Sequence, residues 1–191
     1  MKLYIKEEYT KGKIIFNFYW KKWYNLIKDS DKMNNFEIMV NKLLEKQKTI
    51  STMESCTGGA LASAITCINN SSLVFHFGAV TYSNEYKIKM GVSEDIINKY
   101  TVYSIETAKE MAKAIANYTS SDYGIGVTGQ INKQDPNNPY GQVGEVFFSI
   151  YDKDNDKFYE YSLNTNEKTR EENKKEIVDY ISTKFIQIME V

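Results

Sequence analysis

The chain has 191 residues, 42% of them apolar, enough for one good core and short for two independent domains. Twenty-four basic residues against 25 acidic ones leave a formal charge of −1, which excludes a global electrostatic attraction to nucleic acid or anionic lipid. No run approaches the ~20 apolar residues of a membrane span, and Lys2, Lys6, Glu7 and Glu8 break a signal-peptide reading, so the expected location is cytoplasmic.

Residues 1–33 read as an N-terminal extension carrying both tryptophans, Trp20 and Trp23, in an aromatic-basic run from Phe16 to Tyr24. Such a segment serves either as a short element folded onto the domain or as a docking arm for a partner or membrane surface. From Asn34 onward, Phe36, Met39, Val40, Leu43 and Leu44 follow the i, i+3, i+4, i+7 spacing of an amphipathic helix. Thr49 to Ser55 alternates and is β-branched, which predicts a strand. Thr57 is placed to cap a helix over Gly58 to Ile68, whose small residues allow close approach to a sheet. A second strand is expected over Val74 to Tyr82, then short helices near Glu85 to Met90 and Glu94 to Tyr100. Ser104 caps a longer helix with Ile105, Ala108, Met111, Ala112 and Ile115 on one face. Tyr123 to Thr128 reads as a strand, a polar loop runs through Gln142, and Glu145 to Tyr151 and Phe158 to Leu163 form a hairpin. A last helix from about Glu167 buries Ile177, Val178, Ile181, Phe185 and Ile188. Strands alternating with helices ahead of a late hairpin predict an α/β fold over residues 34–191. Its architecture is a three-layer α/β/α sandwich with a mixed, mostly parallel sheet of about five strands.

Several motifs look chemical and read better as structure. Gly124-Ile125-Gly126-Val127-Thr128-Gly129 matches a dinucleotide fingerprint literally, but its glycines fall inside a strand and no helix follows. They suit a strand packed tightly against a helix. Asp152, Asp154 and Asp156 resemble the start of a calcium loop, yet Lys157 and Leu163 stand where glycine and glutamate are needed, so a hairpin turn is expected. His76, the one histidine, sits mid-strand and reads as a packed or hydrogen-bonded residue rather than a triad base. No zinc-ligand spacing is present, and Cys56 and Cys67, spaced along one helical pattern, read as free thiols. Neither a metal nor a cofactor is expected.

Glu54-Ser55-Cys56-Thr57-Gly58-Gly59 places a hydroxyl where a strand's carboxyl end meets a helix N-terminus. Open α/β sheets bind ligands there, and uncapped N–H groups with the helix dipole favour a phosphate or an oxyanion. The second strand ends in Thr81-Tyr82-Ser83-Asn84-Glu85-Tyr86-Lys87, and Val127-Thr128-Gly129 closes a third. Parallel strands would bring these groups to one rim, where a serine lacking a histidine partner is activated by a lysine or tyrosine of lowered pKa.

These segments, with Asn69-Asn70-Ser71-Ser72, Met90-Gly91-Val92 and Val102-Tyr103-Ser104, recur in this order in the C-terminal domain of the CinA competence/damage-inducible family. The chain resembles that family over roughly residues 36–191. The resemblance implies an amidohydrolase that deamidates nicotinamide mononucleotide, or a related nucleotide amide, to nicotinate mononucleotide and ammonia. It implies Ser55 as nucleophile and Tyr82 and Lys87 as proton-transfer partners. Backbone donors around Thr57 to Gly59 would stabilise the oxyanion, worth ~3–4 kcal/mol per strong donor. Glu54, Thr57, Gly58, Gly59 and Asn84 belong to the implied substrate site, Thr128 and Gly129 would contact the nucleotide, and Arg170 and Lys174 could meet its phosphate.

Two departures accompany the matches. The family's glycine-rich loop with Lys-Pro-Val-Gly is replaced here by Gln130 to Gly141, and the larger N-terminal domain of longer members, resembling molybdopterin-binding proteins, is expected to be absent. The diverged loop keeps a second reading open, a non-catalytic nucleotide- or partner-binding module of the same fold. The expected partner is a small-molecule nucleotide bound by a homo-oligomer, with no direct nucleic acid and no membrane.

Overall fold

Helix periodicity and strand alternation resolve into the expected layers in the computed structural model, which describes residues 34–165 and 169–190. The extension expected over residues 1–33 lies outside the described residues. Helix α1 (Asn35–Glu45) turns Phe36, Met39, Val40 and Leu43 inward, the stripe its spacing demands. After it come β1 (Ile50–Glu54), α2 (Ala60–Thr66), a 3-10 turn (Ser71–Leu73), β2 (Phe75–Val80), α3 (Asn84–Lys89), α4 (Glu94–Tyr100) and α5 (Ile105–Thr119). Strand β3 (Tyr123–Gly129), the hairpin of β4 (Glu145–Asp152) and β5 (Lys157–Asn164), and α6 (Arg170–Met189) complete the chain.

Among the described residues the strands form one sheet in the order β2-β1-β3-β4-β5. Strand β1 runs parallel to both β2 and β3, while β4 is antiparallel to β3 and β5 to β4. With its two parallel partners on opposite sides, β1 marks the switch point of the sheet, where open α/β folds leave a crevice at the strands' carboxyl ends. The fold class is α/β as the alternation implied.

Strand β3 shows how the layers are set. Ile125 and Val127 enter a core with Val40, Leu61, Ile181 and Phe185 from α1, α2 and α6. Gly124 and Gly126 face α5, where a Cβ at Gly126 would lie 2.2 Å from the Ala108 carbonyl oxygen and one at Gly124 2.1 Å from that of Ala112. The helix backbone rests directly on the strand, so the glycine motif is a packing device. On the α5 side, Met53 of β1 packs with Met111 and Ile115 of α5 and with Val92, Ile97 and Val102.

Four expectations need correction. Helix α2 begins at Ala60 rather than Gly58, so Cys56 lies before it, buried, while Cys67 at its end is exposed; both are free. Helix α6 begins at Arg170, capped by Thr169 in a reciprocal box with Glu172. Near its end, Met189 is buried and Ile188 only partly so. His76 is exposed on β2, which is an edge strand among the described residues. The three aspartates do mark the β4–β5 turn, each with its own partner: Asp152 with Asn155, Asp154 with Lys48, Asp156 with Tyr151. Among the described residues no helix is long and apolar enough to cross a membrane.

Candidate active site

Sheet pairing continues past the end of β1 on both sides: the Thr81 N–H donates to the Glu54 carbonyl (2.8 Å) and the Ser55 N–H to the Val127 carbonyl (3.0 Å). Ser55 is therefore held as firmly as a strand residue although it opens a turn. Gly58 and Gly59 follow with φ of 61° and 92°, two successive left-handed residues that side chains disfavour. The reversal carries α2 back over Glu54, whose fully buried carboxylate accepts the N–H groups of Gly59 (3.0 Å), Leu61 (3.1 Å) and Ala62 (2.8 Å).

This corrects the local reading. Glu54, not Thr57, caps α2, and the Thr57 hydroxyl is buried without a hydrogen-bond partner among the described residues. The anion site expected at the helix N-terminus is already filled by the protein's own carboxylate. Gly58 and Gly59 cannot serve as free oxyanion donors either, since the Gly58 N–H donates to the Ser55 carbonyl (3.1 Å) and the Gly59 N–H to Glu54. The N–H groups of Cys56 and Thr57 donate to no carbonyl among the described residues, which leaves them as the donors beside Ser55.

Helix α3 starts at a Ser83 cap and aims Lys87 inward. Lys87 is only 1% exposed, and its Nζ donates to the Ser55 Oγ (3.1 Å) and the Thr81 carbonyl (2.7 Å). Burial lowers its pKa from 10.5 to about 8, with Cys56 and Asp135 pulling weakly the other way. A lysine so placed is free amine in a useful fraction near neutrality, as a base for a hydroxyl requires. Burial has the opposite effect on the adjoining Cys56 thiol, pushing it up to about 12, so that it stays protonated and a poor nucleophile.

Ser55 and Cys56 open onto a cavity of about 220 Å³ that Tyr82, Tyr103, Gly129, Arg170 and the start of the 130–142 loop also line. Tyr82 is 66% exposed, and its hydroxyl accepts a hydrogen bond from Arg170 Nη2 (3.2 Å) rather than meeting Ser55 or Lys87. It is a rim residue, where proximity to the serine had been expected. Arg170 also donates to the Ile131 carbonyl (2.8 Å), which anchors the guanidinium at the cavity wall. Lys174 stands beside the turn instead, its Nζ 3.0 Å from where a Gly58 Cβ would be. The Thr128 hydroxyl points to the α5 side and donates to the Val102 carbonyl (2.8 Å), and only its neighbour Gly129 reaches the cavity. Asn84 holds the loop through Asn138 (2.9 Å).

The expected residues thus divide. Ser55, Tyr82, Gly129 and Arg170 line one space, with Lys87 bonded to Ser55 from behind; Glu54, Thr57, Gly58 and Gly59 build the turn beneath it; Thr128, Asn84 and Lys174 serve other contacts. Asp135 and Tyr103 were missed. Asp135 organises the loop, accepting from the Tyr103 hydroxyl (2.8 Å), Asn138 Nδ2 (2.8 Å) and the Asn137 N–H (2.9 Å), while Gln130 accepts the Asp135 N–H (3.1 Å) and donates to the Tyr140 carbonyl. The Asp-Pro-Asn-Asn run was the available signal, since an aspartate that bonds its own backbone two residues on makes a turn.

Residues 33–188 match the family model of the CinA C-terminal domain. The chain belongs to the CinA family. A Clostridium beijerinckii relative, named among the competence-damage inducible proteins, is 45% identical over 123 residues, 64% of this chain and 30% of that protein. The chain thus spans about three tenths of the length of the curated CinA relatives it matches. Among solved structures, the competence or damage-inducible protein of Enterobacter asburiae aligns with a TM-score of 0.75 at 21% identity, covering 83% of this chain and 99% of that one. The Agrobacterium tumefaciens competence/damage inducible protein CihA aligns at 0.72 with 26% identity, covering 82% and 96%. The CinA fold is therefore common to all three.

Proposed function

We propose that the chain is a serine-dependent amidohydrolase that converts nicotinamide mononucleotide, or a related nucleotide amide, to nicotinate mononucleotide and ammonia. One observation carries the reading: a buried Lys87 amine of lowered pKa, 3.1 Å from a serine hydroxyl at the mouth of a cavity. Lysine replaces histidine as the serine's base in other hydrolases, and nothing in this pairing calls for a metal.

The neutral Lys87 amine takes the Ser55 proton as Oγ bonds to the carboxamide carbon. The developing oxyanion lies against the Cys56 and Thr57 N–H groups. Lys87 then returns its proton to the amide nitrogen, the C–N bond breaks and ammonia leaves an ester on Ser55. Water attacks that ester with Lys87 again as base, the carboxylate departs, and Ser55 regains its proton. The cavity is smaller than the ~300–1,000 Å³ of most small-molecule sites, so it suits the amide-bearing ring while the rest of the ligand extends past Arg170 and Tyr82. Arg170 supports the reading as a fixed positive charge for an anionic group at the rim.

The test is ammonia and nicotinate mononucleotide release from nicotinamide mononucleotide by the pure protein, with Ser55→Ala alongside. Release by the parent and at least about 10³-fold less by Ser55→Ala is expected. Equal release from both would remove Ser55 as nucleophile. Tight nucleotide binding with no ammonia from either would favour the non-catalytic binding module instead.

A further inference from the structure

Charges of opposite sign line the cavity without forming an ion pair among the described residues. Among the described residues Asp135 is the one carboxylate on its wall, while Arg170 and Lys133 bring cations to the same space. No ion pair among the described residues joins Asp135 to either. Its hydrogen bonds come instead from neutral donors, the Tyr103 hydroxyl, the Asn138 amide and the Asn137 N–H. Those donors, the Asn138 amide foremost, hold the carboxylate ionised, below the usual carboxylate range, with a weaker pull from the Lys87 charge and no ion pair to it. Lys87 acts on it only through space, its own hydrogen bonds going to Ser55 and the Thr81 carbonyl. The ring of Tyr103, half-buried and pinned by its bond to Asp135, lines the same wall.

An anion beside a fixed aromatic ring is an arrangement that receives a cationic planar group, chiefly through direct charge attraction. We infer that Asp135 and Tyr103 form a subsite for a positively charged aromatic ring, so that the cavity selects the oxidised, pyridinium form of a nicotinamide nucleotide over its reduced form. The inference rests on the amidase reading for the identity of the ring. The reduced dihydropyridine carries no charge, and seating it would strip water from Asp135 with nothing in return. Arg170, on the same wall, takes the anionic part of the ligand, so the site as a whole matches a zwitterion.

The experiment is isothermal titration of the full chain with nicotinamide mononucleotide and with its reduced form, in mildly alkaline buffer, for the parent, Asp135→Asn and Asp135→Glu, each carrying Ser55→Ala during the titrations so that the nucleotide is not consumed. The parent should bind the oxidised form about tenfold tighter or more, Asp135→Asn should bring the two within about twofold, and Asp135→Glu should restore much of the difference. Nicotinamide riboside, which keeps the charged ring and lacks phosphate, should bind more weakly than the mononucleotide and show the same dependence on Asp135. Equal affinity of the parent for both ring forms overturns the inference whether or not the variants fold. So does a preference that survives in Asp135→Asn. In either case ammonia release from the oxidised nucleotide by the parent would leave the amidase reading standing; binding of neither nucleotide, with no ammonia, would end both.

Discussion

The turn after β1 and the loop after β3 meet at one cavity and are held by opposite means. Residues Glu54 to Gly59 are locked by sheet bonds on both flanks and by a buried carboxylate that satisfies three helix N–H groups. The 130–142 loop has few such backbone bonds and is tied by side chains converging on Asp135 and Gln130. The first arrangement suits groups that must hold position to a fraction of an ångström, such as Ser55 and Lys87. The second suits a surface that can change its chemistry without disturbing the sheet. On the proposed reading, turnover and recognition fall to separate parts of the molecule, and substitutions should separate them.

The sharpest division is expected from Lys87→Met. Loss of the base should lower ammonia release by about 10³-fold. Stability should move the other way. Lys87 has a folded pKa of about 8 against 10.5 for the free group, so the unfolded chain binds the extra proton between those values. Below about pH 8 both states are protonated and the full penalty, about 3 kcal/mol, weighs on the folded one; it is relieved as pH rises from about 8 to 10.5. Lys87→Met should therefore raise the urea midpoint at pH 7, less the loss of its bond to Thr81, and flatten the rise of stability with pH. A fall in that midpoint would show the buried ammonium to be a structural strut.

Glu54→Ala should do the reverse at the same turn, leaving three N–H groups without their acceptor and costing about 2–4 kcal/mol of stability in urea unfolding. A variant as stable as the parent would mean that Thr57 can take over the cap. The smallest expected effect belongs to the loop. Asp135 raises the Lys87 pKa, so Asp135→Asn should move the acid limb of the kcat/KM profile downward from about pH 8 by less than about one unit, with stability changed little. An upward or absent shift would place Asp135 outside electrostatic reach of the base and confine it to the loop.

Much of this was legible in the linear chain. The stripe of α1, the strands before and after Ser55 and the β4–β5 hairpin follow from short-range periodicity, which side-chain burial on one face imposes. Ser55 and Lys87 stood out because each falls just past a strand end. The cap of α2 did not stand out: Glu54 and Thr57 both carry an oxygen acceptor, and the choice between them depends on two left-handed glycines that turn the chain back over the carboxylate. Tyr82 looked as close to Ser55 as Lys87 did, until a neighbour distant in sequence, Arg170, claimed its hydroxyl. Asp135 was missed because its partners Tyr103 and Asn138 flank it at very different separations along the chain.

The order of elements, their buried faces and the strand-end placement of the serine and the lysine were determined by the sequence alone, because each depends on residues within a turn or two of one another. Tertiary structure alone decided which oxygen caps α2, which of lysine and tyrosine meets the serine, and which carboxylate faces the cavity. Those choices depend on burial and on contacts between segments far apart in the chain, where desolvation and hydrogen-bond geometry, rather than local pattern, set the outcome.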